Sequence, residues 1–390
     1  MNYFNKIKGR AILIICLLFL SFAFNSVFAQ EKPKGYVFEK LNEVKTTPVK
    51  NQWLSGTCWC FATTSFVETE MLRMGKDPLD ISEAFFIYQN YLLKADKYIR
   101  LHGNYSFSCG GQAHDVMNAL KLFGALPEEV YSGLMNGEKL PDQMEMDEML
   151  KAAMTIVAKK EGTIKPNWKE ALEGILDAYM GKIPENFDYK SKKYNPKTFA
   201  ADVIGINPDD YVELTSFSHH PFYSKFILEV PDNWSMGEYY NLPVDDLMSI
   251  LENALKKGYS VAWDGDVSEN EFKHKKNVAV LPVLEWKDRT NEQKESLFDA
   301  PEPEKKVTQQ MRQDCFDNFS TTDDHLMHIV GMAKDEKGTI YYYVKNSWGE
   351  KSNSLNGFLY MSDSYIRLKT IAIMVHKDAI PADIKKKLKL

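Results

Sequence analysis

The sequence predicts an α+β fold in which helices crowd the first half, strands fill the second, and two lobes meet at a cleft. Two observations carry this. Between residues 58 and 181, apolar side chains recur at helical spacing, interrupted by glycines and turns. Beyond residue 200, short runs rich in aromatic and β-branched residues alternate with turn signals.

The first element stands outside the fold. Lys6, Lys8 and Arg10 precede the apolar run AILIICLLFLSFAF (11–24), and SVFAQ places small residues before a cut after Ala29. This is the pattern of an export signal. The run is short for a bilayer crossing, so a signal peptide over 1–29 is expected to be removed. The mature chain then begins near Gln30, periplasmic or extracellular, with no stable membrane span. Residues 30–50 read as extended and polar. In 58–74, Phe61, Ser65, Val67, Glu68, Met71 and Leu72 follow helical spacing, and Gly75 ends the helix. Ser82 is the expected N-cap of a second helix within 80–99. SCGGQ opens a third over 108–124, and 146–160 and 168–181 add two more.

Strands are predicted at 211–217, 225–231, 259–267, 325–333, 339–348 and 357–363, with DEKG (335–338) as the turn of a hairpin. One helix, 244–258, interrupts them. Residues 284–312 are charged, hold few large apolar residues and read as a surface excursion. DIKKKLKL reads as a solvated helix end. The expected organisation is a single domain over 30–390: a helical lobe at 30–135, a helical insertion at 136–200, a β-rich lobe at 201–380 and a basic tail at 381–390.

A net charge of −6 gives no basic footprint for nucleic acid. After signal removal four cysteines remain, Cys58, Cys60, Cys109 and Cys315, too few for a disulfide scaffold in a chain of this size. An oxidising compartment allows pairing among them, Cys109 with Cys315 for instance. No metal or cofactor is expected. Cys60 lacks the neighbours of a metal site and reads as packing. His219-His220 need a third ligand to hold zinc and read as a turn before Pro221. Asp264 and Asp266 end an apolar strand and read as a turn or cleft edge.

The stretch SGTCWCFATTSF (55–66) holds the chemistry. A cysteine nucleophile must be a thiolate, and Cys58 at the first turn of a helix lies beside free N–H groups and the positive end of the helix dipole. Gly56 lets the chain turn into that helix. Gln52 can offer a side-chain N–H to a developing oxyanion, and the Cys58 N–H a second donor. The base must come from elsewhere in the chain. His325 opens one strand of the hairpin and Asn346, in KNSWG, ends the other, so the amide oxygen can hold one imidazole nitrogen while the second faces Cys58. Trp348 can cover the pair and exclude water. Cys58 must stay reduced for this chemistry.

TPVKNQWLSGTCWCFA (47–62) and YVKNSWG (343–349) resemble the papain-like cysteine peptidases. CGGQAHDVMNALKLFGALPEEVY (109–131), YSVAWDGDV (259–267) and DDHLMHIVGMAKD (324–335) are similar to the bleomycin hydrolase and aminopeptidase C branch. His325 follows Cys58 by 267 residues, far beyond the roughly 130–150 of the papain pattern; the helical insertion accounts for the excess. The resemblance implies a two-lobe papain-like fold and hydrolysis of peptides. It implies Cys58 as nucleophile, His325 as general base and then acid, Asn346 as its orienter and Gln52 in the oxyanion hole. Gly110 and Gly111 would bind the substrate main chain, with Trp59 and Trp348 beside them. His325 is preferred over His328 because Gly331 follows it by six residues, as in the family's His strand. The branch is hexameric and trims N-termini, using a Trp-Asp-Pro-Met-Gly ending that has no counterpart in IPADIKKKLKL. Aminopeptidase action is the first expectation. An endopeptidase of the same family or a non-catalytic peptide-binding relative are the alternatives, and a homo-oligomer stays open.

Overall fold

The computed structural model describes residues 35–390; the expected signal peptide lies outside the described residues. The Cys58–Arg73 helix is the central element, with every residue from Trp59 to Met71 buried. A helix covered all round needs partners on all sides. Trp59, Phe66 and Val67 pack into a core with Phe85, Phe86, Val116 and Leu120. On the other side Ser65 meets His328 of the sheet, so this helix is the seam between the helical and β-rich parts.

The second helix is Glu83–Arg100, and Ser82 caps it by accepting from the Phe85 N–H at 3.1 Å. The third begins at Ala113, later than predicted, because residues 109–112 form the glycine loop instead of a first turn. The Met144–Ala158 and Trp168–Met180 helices bury Met146, Leu150, Met154 and Leu172, Leu176, Met180, each series spaced by four, in the same helical core. Tyr91 and Tyr88 fix them by donating to Asp147 and Asp177 at 2.8 and 2.9 Å.

The β-rich part is an eleven-stranded sheet. At its middle Val261–Gly265 lies between Thr370–His376 and His325–Asp335, antiparallel to both. Ile340–Lys345 and Phe358–Ser362 follow His325–Asp335 outward, and Tyr211–Thr215 flanks Thr370–His376. Two strands that matter were not predicted. Thr370–His376 is buried on both faces up to its last residue and follows the Asp363–Lys369 helix without a turn residue, so neither alternation nor punctuation marks it. Phe38–Glu43 is mostly exposed and pairs with the far half of His325–Asp335; backbone bonds and one apolar anchor, Phe38 on Tyr341 and Tyr360, hold it.

Two surface expectations change. Residues 284–312 are pinned by buried Leu297 and Phe298, and by buried Arg289 paired to Glu302. The tail is the Ala382–Leu388 helix, which buries Ile384 and Leu388 in the sheet core beside the Val244–Lys256 helix. No helix among the described residues is long and apolar enough to cross a membrane.

Candidate active site

Cys58 is the first residue of its helix, where N–H groups lack carbonyl partners and the dipole is positive. The entry turn depends on Gly56, which sits at φ +57° with the Cys109 Sγ only 2.5 Å from where a Cβ would be. A side chain there would meet both strain and overlap.

His325 opens its strand opposite Gly265. The hairpin pairs His328 with Lys345, which brings the next residue, Asn346, back beside His325. His325 Nε2 lies 2.8 Å from Asn346 Oδ1. The same oxygen accepts the Ser347 N–H at 2.7 Å, so it is the acceptor and Nε2 carries the proton. Nδ1 is therefore the nitrogen left for a proton from Cys58. Trp348 covers the pair, its ring 5.1 Å from that of His325. His328 points the other way, into Ser65 and Phe66. Gln52 is buried, and its Oε1 accepts from Ser347 Oγ at 2.5 Å while its backbone N–H donates to Ser347 O. That leaves the Nε2 amide of Gln52 as the donor for a developing charge.

Burial sets the charges. It pushes the Cys58 thiol up to about 12, with the backbone N–H of Leu326 pulling against it and Asp232, Asp264 and Asp323 adding to it. It lowers His325 to about 4, opposed by the bond to Asn346. Neither group holds a charge alone here, so a thiolate has to form by handing its proton to a neighbouring base. In Cys58→Ala protein, nitrogen NMR is expected to show His325 as the neutral Nε2–H tautomer at pH 6. An imidazolium signal at that pH would contradict this account.

Sequence reasoning missed the group behind His325 and Asn346. His274 Nδ1 lies 3.4 Å from Asn346 Nδ2, its Nε2 2.8 Å from Ser352 Oγ and its ring 4.8 Å from Trp348. Burial holds it at about 4, with Lys275 and His325 adding to the shift. It comes from a short helical turn with no local motif. Below the site, buried Glu68 accepts from Thr47 Oγ1, the Ile81 N–H and Lys50 Nζ, at 2.5, 2.9 and 3.0 Å. Lys50 also reaches Glu83 and Asp80. Burial opposes its charge, but Glu83, Glu68 and Asp80 together hold its pKa well above the usual value.

The remaining residues are placed as follows. Gly110 is half-buried, and Gly111 is packed against Trp59, whose ring lies 2.9 Å from where a Cβ would be. Trp59 is 1% exposed and donates to the Cys109 carbonyl at 2.9 Å. It supports the glycine loop from beneath instead of lining the cleft, a correction to its expected contact with substrate. Cys60 is buried with Sγ 3.4 Å from the Glu83 carbonyl, a packing residue. All four cysteines are free, so Cys109 and Cys315 are unpaired. His219 and His220 lie in the expected turn, and both reach Glu229, at 3.1 and 2.8 Å. This third group lay beyond local sequence reasoning.

The Peptidase C1-like family matches residues 24–390. Aminopeptidase G of Lactobacillus delbrueckii subsp. lactis is 24% identical over 382 residues, spanning 87% of this chain and 83% of that protein. Aminopeptidase C of Lactobacillus helveticus is 22% identical over 386 residues, 88% and 82% of the two chains. The crystal structure of PepW from Lactobacillus rhamnosis HN001 superposes with a TM-score of 0.69 at 18% identity, covering 99% of this chain and 94% of that one. The α+β architecture is thus the papain-like one, and the chain belongs to the Peptidase C1-like family of cysteine-type peptidases.

Proposed function

We propose that this protein is an exported cysteine aminopeptidase that hydrolyses peptides with Cys58, His325, Asn346 and Gln52. The observation that carries it is the His325 Nε2–Asn346 Oδ1 bond, which leaves imidazole Nδ1 free to take the thiol proton. The aminopeptidase names of the relatives support the choice of peptide N-termini.

The Cys58 proton moves to His325 Nδ1 as the sulfur bonds to the scissile carbonyl carbon. The carbonyl electron pair becomes an oxyanion, held by Gln52 Nε2–H and the Cys58 N–H. Collapse restores the carbonyl and breaks the C–N bond, and His325 returns its proton to the leaving amine. Water then gives a proton to His325 and its oxygen to the acyl carbon. The C–S bond breaks, and the thiol takes its proton back.

The test is hydrolysis of a free-amine peptide against its N-acetyl twin under reducing conditions. Cleavage of the free-amine peptide is expected; cleavage of only the blocked twin assigns an endopeptidase. Gln52→Ala is expected to lower kcat by about 10²–10³-fold, the usual cost of one oxyanion donor, with alkylation of Cys58 retained. Unchanged kcat would remove Gln52 from the mechanism. Export is checked by the N-terminal residue of the secreted protein, expected near Gln30.

A further inference from the structure

Three carboxylates stand beside the nucleophile, and the hydrolytic steps use none of them. Asp264 sits in the Val261–Gly265 strand opposite Leu326, the residue after His325. Asp323 lies two residues before His325. Asp232 reaches in from the loop after residue 230, its Oδ2 only 2.0 Å from where a Cβ of Gly110 would be. All three bear on the Cys58 thiol through their charge. They come from three separated segments, yet Asp264 faces Asp323, and Asp323 lies against the Asp232 backbone and the Gln112 amide.

The cluster is short of positive partners. Gln112 Nε2 donates to Asp323 Oδ2 at 2.9 Å. Lys94, whose field reaches Asp232, spends its ammonium on the carbonyls of Ser108 and Gly110. Asp264 is 3% exposed, and neither of its oxygens has an N–H donor among the described residues; the group that faces it is the Asp323 carboxyl. A buried carboxylate without a donor is costly and calls for a partner. Burial and the neighbouring carboxylates also raise the pKa of Asp264 and bring Asp323 up to about 7. The cluster thus holds protons that an arriving cation would displace. Asp232 and Asp323 are only partly buried, so solvent reaches both while Asp264 is shut in.

We propose that Asp232, Asp264 and Asp323 receive the α-ammonium group of the substrate and so direct Cys58 to bonds near a free N-terminus. This rests on the peptidase reading above and deepens it: an ammonium group brings one positive charge and three N–H donors to oxygens that lack them. The Gly110 backbone, against which Asp232 rests, then lies along the first residues of the peptide.

The test uses wild-type protein, Asp323→Asn and Asp264→Asn, with an alanine anilide and its N-acetyl twin. The quantity read is the ratio of kcat/KM for free over blocked substrate, with iodoacetamide labelling of Cys58 to show that the nucleophile is in place. The wild type is expected to favour the free amine, and each variant to lower the ratio by about tenfold or more, the scale of a lost charge-assisted bond. Asp323 is partly exposed, so Asp323→Asn decides the matter where the buried Asp264→Asn fails to fold. A ratio unchanged in the variants would overturn the proposal and leave the peptidase intact. Loss of the free-amine preference on adding EDTA would overturn it in favour of a metal ion. A wild type that labels at Cys58 but cuts neither substrate would overturn both readings.

Discussion

Cys58→Ala is expected to abolish peptide hydrolysis, lowering kcat by about 10⁴–10⁶-fold, the scale seen when a covalent nucleophile is removed. The fold is expected to survive. Cys58 is only partly buried and stands at the helix start, and alanine is a good helix former. The stability change is therefore expected within about 1 kcal/mol. Hydrolysis of a free-amine anilide together with thermal unfolding checks both halves. A variant that is folded and active would place the nucleophile elsewhere. Cys60→Ala separates the two thiols: its sulfur is buried against the Glu83 carbonyl, so the change bears on packing and leaves the attacking atom in place.

Glu68→Ala is expected to destabilise the protein by about 3–5 kcal/mol, the cost of breaking a buried ion pair by removing one partner. The side chain is fully buried. Its loss leaves the Ile81 N–H and the Thr47 hydroxyl without their acceptor and Lys50 with fewer anions. Glu68→Gln retains volume and one acceptor oxygen, so a smaller loss of about 1–3 kcal/mol is expected. Urea unfolding reads the difference as a lower midpoint at unchanged slope. Equal stability of Glu68→Ala and wild type would show that the network carries no net stabilisation. Because Thr47 and Lys50 lie just before Gln52, the damage is also expected to reach activity.

The residues proposed for catalysis were legible because each sits in a short block with distinctive neighbours. The Cys-Trp pair at a helix start fixes Cys58, and a hairpin with its turn in plain sight brings Asn346 back to His325. The fold class was legible for a related reason: the change from a helical period to short β-branched runs needs no long-range information. What escaped the sequence depends on partners far away in the chain. Thr370–His376 has no alternation because both faces are covered. Trp59 reads as a cleft aromatic until the glycine loop is seen lying on it. Asp232, in a loop with no motif, gains meaning only once it meets Gly110. Asp264 looked like the end of a strand, because the sequence does not say which residues face it across the sheet.

Ser347 has a wider consequence. It donates its N–H to the oxygen that orients His325 and its hydroxyl to the amide proposed to hold the oxyanion, and its carbonyl takes the Gln52 N–H. Gln52 enters from the helical side and Asn346 from the sheet, so one small residue ties the registration of base and oxyanion donor to the same joint. Any motion that parts the two sides breaks the two Gln52–Ser347 bonds, while the His325–Asn346 bond, made within the sheet, stays closed. The proposed oxyanion donor is therefore what opening removes first, and exposure of the thiol by partial opening does not by itself create a nucleophile that can complete hydrolysis.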